Sequence, residues 1–133
     1  MKKKILVLTF YYEPDLCAGS FRSSALVNEL SKYNTHIHVI SSLPNRYKSY
    51  KANKIESENK KNIKIFRISV PSHNSGFLDQ AISFFYFYQN AKKIASRNEY
   101  DLIFATSSRL FTAFLGAKIS RNKKIPLYLD IRD

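Results

Sequence analysis

Short apolar runs alternate with longer segments whose apolar residues recur at helical spacing along most of the chain. The first run, residues 4–10 (KILVLTF), is almost continuously apolar and rich in branched side chains, which is typical of a strand covered on both faces in a parallel sheet. Further strands are predicted at residues 36–41, 63–68, 101–105 and 126–130. Helices are predicted at residues 20–32, 78–97 and 110–121.

The predicted order β-α-β-β-α-β-α-β favours an α/β fold with a doubly wound, mostly parallel, Rossmann-like sheet. Right-handed crossovers give such a sheet the strand order 3-2-1-4-5. At 133 residues the chain is long enough for a single domain, residues 1–133. Ligands bind such sheets beyond the carboxyl ends of the strands, where the strand order reverses. The loops after the first and fourth strands are therefore expected at one crevice.

Two of the predicted helices are rich in large apolar residues. In the last helix, Phe111, Phe114 and Leu115 are expected to face the core. The centre of the long helix, residues 84–88 (FFYFY), is aromatic on all sides, and core packing accounts for only part of it. The excess predicts a membrane-facing or partner-facing surface on this run. Its candidate residues are Phe84, Phe85, Phe87 and Tyr88.

The net charge of the chain is the strongest compositional indication of what it binds. The formal net charge of +12 implies attraction to phosphates, whether on nucleic acid, on anionic lipid or on a diphosphate ligand. Much of it lies in a long polar connection, residues 46–67, which also contains Tyr47 and Tyr50. No apolar stretch is long enough to span a bilayer. A single cysteine, Cys17, cannot form an internal disulfide, which favours a reducing, cytosolic location.

The loop that enters the first helix is the first candidate for chemistry. Gly19 allows close approach of the backbone to a ligand, and Ser20 is expected to cap the helix, whose first amides can bind an anion. Arg22 opposes the helix dipole in the first turn, so it is expected to meet an anion. That anion is either a ligand phosphate or a neighbouring carboxylate, Glu13 or Asp15.

The remaining candidates follow other strands. Ser107 and Ser108 can donate hydrogen bonds into the same crevice or simply cap the last helix. His73 is a weak candidate for a catalytic base on the loop after the third strand. Asp130 can orient a substrate hydroxyl or pair with Arg132. The histidines lack partners at ligand spacing, so no metal site is expected.

Nucleotide-binding fingerprints are absent from the sequence. Gly19 stands alone rather than in a G-x-G-x-x-G pattern, and no Gly-Lys-Ser/Thr triplet occurs. A cofactor such as NAD, or ATP on a P-loop, is therefore disfavoured, and no cofactor is expected.

Five segments together resemble the N-terminal domain of family 4 glycosyltransferases of the two-Rossmann-domain (GT-B) type, especially those of bacterial surface-polysaccharide assembly. The segments are KILVLTFYYEP followed by AGSFR, SSLPN at 41–45, SHNSGFLDQA at 72–81, YDLIFATSSRLFTA at 100–113 and the closing LDIRD. The likeness covers nearly the whole chain and depends on their order and spacing. Two departures stand out: Ala18 precedes Gly19 where many relatives have paired glycines, and LDIRD lacks the following Trp-Pro.

The resemblance implies transfer of a sugar from a nucleotide diphosphosugar, with retention of configuration and without a required metal. The acceptor is expected to be a saccharide linked to a lipid at the inner membrane face, held mainly by this domain. Gly19, Arg22, Ser107 and Ser108 match loops near donor and acceptor. The C-terminal donor-binding domain is absent from the chain, so the chain alone is expected to transfer no sugar.

Two other classes of function are compatible with the sequence. The first is a nucleic-acid-binding module that uses the positive charge, with Tyr47 and Tyr50 stacking on bases. The second is a non-catalytic protein of the membrane surface that uses the aromatic helix. Salt-dependent binding to oligonucleotides or to anionic liposomes separates these alternatives.

Overall fold

A computed structural model of the chain describes residues 2–13, 18–42, 55–68, 77–107 and 110–131. Six strands and three helices lie in these residues. The strands are β1 (Lys3–Leu8), β2 (Thr35–Ser42), β3 (Ile55–Lys60), β4 (Ile63–Ile68), β5 (Leu102–Thr106) and β6 (Leu127–Asp130). The helices are α1 (Ala18–Leu30), α2 (Phe77–Ser96) and α3 (Leu110–Lys123).

The strands form one sheet in the order β3-β4-β2-β1-β5-β6. All neighbouring pairs are parallel except β3 and β4, which form an antiparallel hairpin at the edge. The five predicted strands therefore have the expected order, and the doubly wound α/β fold is confirmed. The sequence analysis missed β3, because IESENK has neither an apolar run nor an apolar alternation.

Alternate residues of the central strands face two different apolar cores. On one side, Ile5 and Val7 of β1 pack with Val27 of α1. On the other side, Leu6 and Leu8 pack with buried residues of both α2 and α3. One helix thus covers one face and two helices cover the other, with β1 buried between them as its unbroken apolar run predicts.

Helix α3 approaches the sheet closely at Gly116. A Cβ atom built there would lie 2.7 Å from the Cβ of Ala105 and 3.4 Å from the Cδ1 of Leu127. The residues of α3 that face the sheet are mostly small: Thr112, Ala113, Leu115, Gly116 and Ile119 are buried. The absence of bulk on this face lets the helix lie directly on β5.

The orientation predicted for α3 is wrong at two positions. Leu115 is buried as expected, but Phe111 and Phe114 are 58% and 60% exposed. Since Ala113 and Gly116 form the close contact with the sheet, the two phenylalanine rings lie on the opposite side. The largest apolar residues of α3 therefore do not indicate its buried face, because small residues allow the close packing of this helix on the sheet.

The predicted start of α1 is also wrong. The helix begins at Ala18, so Ser20 lies inside its first turn and does not cap it. Ser20 is fully buried, and its hydroxyl has no hydrogen-bond partner in the part of the chain that the structure describes.

Candidate functional site

An ion pair links Arg22, the fifth residue of α1, to the end of β6. Nη2 of Arg22 lies 3.0 Å from Oδ1 of Asp130. The carboxylate side chain is only 12% exposed, whereas the arginine side chain is 63% exposed. The sequence analysis expected an anion for Arg22 and considered Glu13, Asp15 or a ligand phosphate, so this partner was not foreseen. The pair leaves much of the guanidinium accessible to a ligand.

The same aspartate is bound to the end of β5. The backbone N–H of Ser107 donates to the carbonyl of Asp130 over 3.0 Å, next to the register pair of Thr106 and Asp130. Arg22, Ser107 and Asp130 therefore lie at one edge of the sheet, where the strand order reverses. Residues that follow the first and fourth predicted strands thus both contact Asp130, whereas residues 14–17 and 108–109 of the two loops lie outside the described residues. Ser108 lies outside the described residues.

A groove of about 370 Å³ extends from this ion pair along α1. Arg22 and Asp130 lie at its carboxyl-edge end, and its remaining walls are apolar. These walls are formed by Ile5, Leu26, Leu30, Leu102, Phe104 and Tyr128. The rings of Phe104 and Tyr128 are nearly parallel, with centroids 5.3 Å apart, and Tyr128 is 62% exposed. The groove therefore combines a charged end with an aromatic and aliphatic floor.

Hydroxyl groups fix the chain after β1 against α1. The Oγ1 of Thr9 lies 3.1 Å from the Oγ of Ser23 and donates to the carbonyl of Tyr11 over 2.8 Å. The backbone N–H of Glu13 donates to the Oγ of Ser24 over 3.3 Å. These contacts hold the first turn of α1, which contains the half-buried Gly19, beside the carboxyl end of β1. They also fix the position of Arg22.

Tyr12 and Arg67 form a second polar pair at the carboxyl edge, which the sequence analysis missed. The guanidinium carbon of Arg67 lies 6.0 Å from the centre of the Tyr12 ring, and both residues are buried. Burial raises the pKa of Tyr12 above its usual range, so its hydroxyl stays protonated. In the described residues, neither this hydroxyl nor Nη1 of Arg67 has a hydrogen-bond partner.

The charge of Arg67 is only partly balanced. Its Nη2 lies 3.5 Å from Oε2 of Glu58, whose side chain is 58% exposed. No sequence motif indicated this residue, because Glu58 and Arg67 meet across the β3–β4 hairpin and Tyr12 follows β1, far away in the chain. A buried arginine with a distant partner is a costly arrangement, which draws attention to this part of the edge.

The long aromatic run divides into buried and exposed residues. Phe87 is fully buried in the core, which corrects its assignment to a membrane or partner surface. Phe84 and Tyr88 are half-buried against the same core, and Phe85 is 61% exposed. A helix that packs on a sheet turns one side of a continuous aromatic run inward, and here that side contains Phe87.

The exposed part of the run belongs to a larger apolar surface across α2 and α3. The outer apolar face consists of six exposed side chains: Leu78, Ile82 and Phe85 on α2, and Leu110, Phe111 and Phe114 on α3. The rings of Phe84 and Phe111, 4.8 Å apart, join the two helices. Exposed apolar patches of this kind are typical of interaction surfaces.

Several candidate residues from the sequence lie outside the part of the chain that the structure describes. His73, Tyr47 and Tyr50 lie outside the described residues. Within the described ranges, no group of three His, Cys, Asp or Glu side chains could hold a metal ion. None of the helices, over the residues that can be described, is long and apolar enough to cross a bilayer.

Solved structures with the same architecture include two of different activities. The C-terminal domain of a hydrogenase from Pyrococcus furiosus matches with a TM-score of 0.62 at 9% identity, over 98% of this chain and 92% of that one. A UGT transferase from Siraitia grosvenorii, solved in complex with UDP, matches with a TM-score of 0.52 at 17% identity. This match covers 96% of the present chain and 27% of the transferase, so the chain spans about a quarter of that protein.

No protein-family profile and no curated protein sequence matches the chain. The structural matches therefore show the fold, a Rossmann-like α/β unit that a glycosyltransferase-like protein also contains. The family 4 assignment and the polysaccharide role remain proposals.

Proposed function

We propose that this chain is the acceptor-side, N-terminal half of a retaining glycosyltransferase. In this proposal a second Rossmann domain binds a nucleotide diphosphosugar, and the sugar passes to a lipid-linked saccharide during surface-polysaccharide synthesis. One observation supports the proposal: at the reversal of the sheet, Asp130 pairs with Arg22 through its side chain and accepts a hydrogen bond from the N–H of Ser107 at its backbone carbonyl.

The groove beside α1 supports an acceptor with both polar and apolar parts. Its charged end contains a guanidinium that is largely exposed although it is paired, and such a group can still bind a phosphate oxygen. Asp130 can accept a hydrogen bond from a sugar hydroxyl at the same end. The apolar walls suit the hydrocarbon or the apolar sugar face of the acceptor.

The outer apolar face supports a membrane location. Its six side chains lie on the first halves of α2 and α3, which follow strands that end at the carboxyl edge. An apolar surface on a chain with a net charge of +12 suits the cytoplasmic face of an anionic membrane. The proposed donor-binding domain is the other partner that this face can contact.

The decisive experiment joins the chain to its proposed second half. The coding sequence downstream of codon 133 is read in all frames, and any Rossmann domain it encodes is co-expressed with the chain. Transfer of labelled sugar from UDP-hexoses and GDP-hexoses to a membrane-lipid extract is then measured. We expect the pair to transfer sugar and the chain alone to transfer none. The variant Arg22→Gln should lose this transfer, whereas the control Lys118→Gln, at an exposed position, should keep it.

Two results would contradict the proposal. One is the absence of any second Rossmann domain in the downstream or neighbouring genes. The other is tight, salt-dependent binding of single-stranded oligonucleotide without any preference for anionic liposomes, which would favour the nucleic-acid-binding alternative.

A further inference from the structure

A basic recess of about 360 Å³ lies at the amino edge of the sheet, opposite to Arg22 and Asp130. Its cationic and titratable lining consists of Lys4, His36, His38, Lys61 and Lys64, and two asparagines complete its polar wall. No Asp or Glu of the described chain lines it. From the sequence, the histidines were considered only as possible metal ligands, and the lysines of this recess were not considered together.

The strand register brings these cations together. His36 lies beside Lys4 in the pairing of β1 with β2, and His38 lies beside Lys64 in the pairing of β2 with β4. Lys61 sits in the β3–β4 turn with a φ of 55°. Strands β1 and β4 and the hairpin turn therefore each contribute a lysine to this recess, and β2 contributes two imidazoles.

Aromatic rings hold two of the lysines in place. Nζ of Lys4 lies 5.6 Å from the centre of the Tyr100 ring, and Nζ of Lys64 lies 5.0 Å from the centre of the Phe66 ring. Both rings also contact the imidazole of His38 at 5.5 Å, edge to face. The nearby carboxylate of Asp101 accepts a hydrogen bond from the backbone N–H of Lys4 and does not line the recess.

We propose that this recess binds a phosphate group, as a second anion site that is separate from the carboxyl-edge groove. Lys4, Lys61 and Lys64 line the same recess, and none of these lysines pairs with a carboxylate among the described residues. Like charges that share one recess repel one another. An oxyanion accepts hydrogen bonds from several such donors at once and removes this repulsion. The site uses only groups that the fold already places.

His38 makes the site sensitive to pH. Burial, followed by the charges of Lys4, Lys64 and His36, lowers the pKa of His38 to about 4. Its Nδ1 lies 2.9 Å from the hydroxyl of Tyr100, which burial keeps protonated by raising its pKa. A bound anion stabilises the imidazolium and raises the pKa of His38. The recess should therefore bind an anion of constant charge more tightly as the pH falls.

The first test is a titration of the complete chain with inorganic pyrophosphate at constant ionic strength, in which amide NMR shifts are recorded. We expect the shifts to concentrate at Lys4, His38 and Lys64. The double variant K4Q/K64Q should weaken binding about tenfold or more. The control K93Q/K118Q removes the same charge from exposed lysines of α2 and α3 and should keep the wild-type affinity.

A second measurement needs no substitution, so it is independent of any loss of folding. Sulfate, whose charge is constant over the range, should raise the pKa of the His38 imidazole relative to chloride. Equal weakening in both double variants, or an unchanged pKa of His38 in sulfate, would overturn the proposal. Equal weakening would indicate attraction by net charge alone.

The source of the phosphate is then distinguished with vesicles. Phosphatidylcholine vesicles are prepared with and without phosphatidic acid. Stronger binding of wild type than of K4Q/K64Q to the anionic vesicles indicates a lipid headgroup. Binding of pyrophosphate without any such difference on vesicles indicates a free phosphate compound. If neither probe distinguishes wild type from K4Q/K64Q, the proposed site is wrong.

Discussion

Arg22 and Asp130 are 108 residues apart in the chain and are joined by a 3.0 Å ion pair. The contact lies at the carboxyl end of the groove beside α1 and connects this helix with the last described strand. Its polar atoms remain partly accessible, which is what a binding role requires and a purely structural role does not.

The ion pair should contribute little to stability. Because the arginine side chain is largely exposed, we expect a coupling free energy of at most about 1 kcal/mol between Arg22→Gln and Asp130→Asn. A double-mutant cycle of urea unfolding measures it. A coupling of several kcal/mol would mean that the pair is a structural anchor, and the ligand-binding proposal for Arg22 would lose its basis.

Gly116→Ala should destabilise the fold although alanine favours helices. The new Cβ meets the Cβ of Ala105 at 2.7 Å, and that atom is fixed to the backbone of β5. We expect the free energy of unfolding to fall by about 1–3 kcal/mol, against a gain of up to about 1 kcal/mol from helix propensity. Adding Ala105→Gly should recover part of the loss. Unchanged stability in the single variant would contradict the close contact.

Arg67→Met and Glu58→Gln should change stability in opposite directions. The methionine removes a buried charge whose Nη1 has no described partner, so we expect stability to be unchanged or raised by about 1 kcal/mol or more. The glutamine removes the distant partner and leaves the charge buried. Stability should then fall, by less than the roughly 3 kcal/mol typical of fully buried pairs, because Glu58 is exposed. Urea unfolding near neutral pH measures both changes. A large loss in Arg67→Met would reveal an anionic partner.

Protonation of His38 should make the folded chain less stable as the pH is lowered from about 6.5 to about 4. Its pKa is about 4 in the folded chain, below the value of about 6.5 for an ordinary histidine. Between these values the unfolded chain binds more protons, so unfolding becomes easier as the pH falls from about 6.5 to about 4, and the effect ends below that. His38→Gln and His38→Phe should both flatten this part of the curve in urea unfolding. An unchanged slope in either variant would contradict the lowered pKa.

The buried and exposed rings of α2 should respond differently to the same change. Phe87→Ser opens the core and should cost about 3–5 kcal/mol, measured by urea unfolding. The double variant Phe85→Ser and Phe114→Ser should leave stability nearly unchanged and weaken sedimentation with anionic vesicles. If vesicle binding is the same as in the wild type, the outer apolar face is not a membrane surface.

The sequence predicted the parallel core well because burial on both faces leaves an unmistakable apolar run. From this pattern the strand order followed, and with it the carboxyl end of the sheet, where Arg22 and Ser107 both contact Asp130. The ion pair of Arg22 with Asp130 could not be predicted in this way. The apolar pattern indicates at which end of the sheet a residue lies, but it does not show which side chains come into contact there.

The remaining errors have related physical causes. The start of α1 was misplaced because Ser20 resembles a cap by residue type, whereas its burial is a tertiary property. In α3, apolar residues surround the helix, and the close contact at Gly116 determines which side is buried. The basic recess was missed because Lys4, His38 and Lys64 are neighbours only through strand register.

The polar edge strand β3 also bears on how the protein behaves at high concentration. Ser57, Glu58, Asn59 and Lys60 are all exposed along it. Charged and amide side chains on an outer strand disfavour pairing with the edge of another molecule, the route by which sheets grow into fibrils. The hairpin therefore protects this side of the sheet from self-association, and aggregation under stress should begin elsewhere.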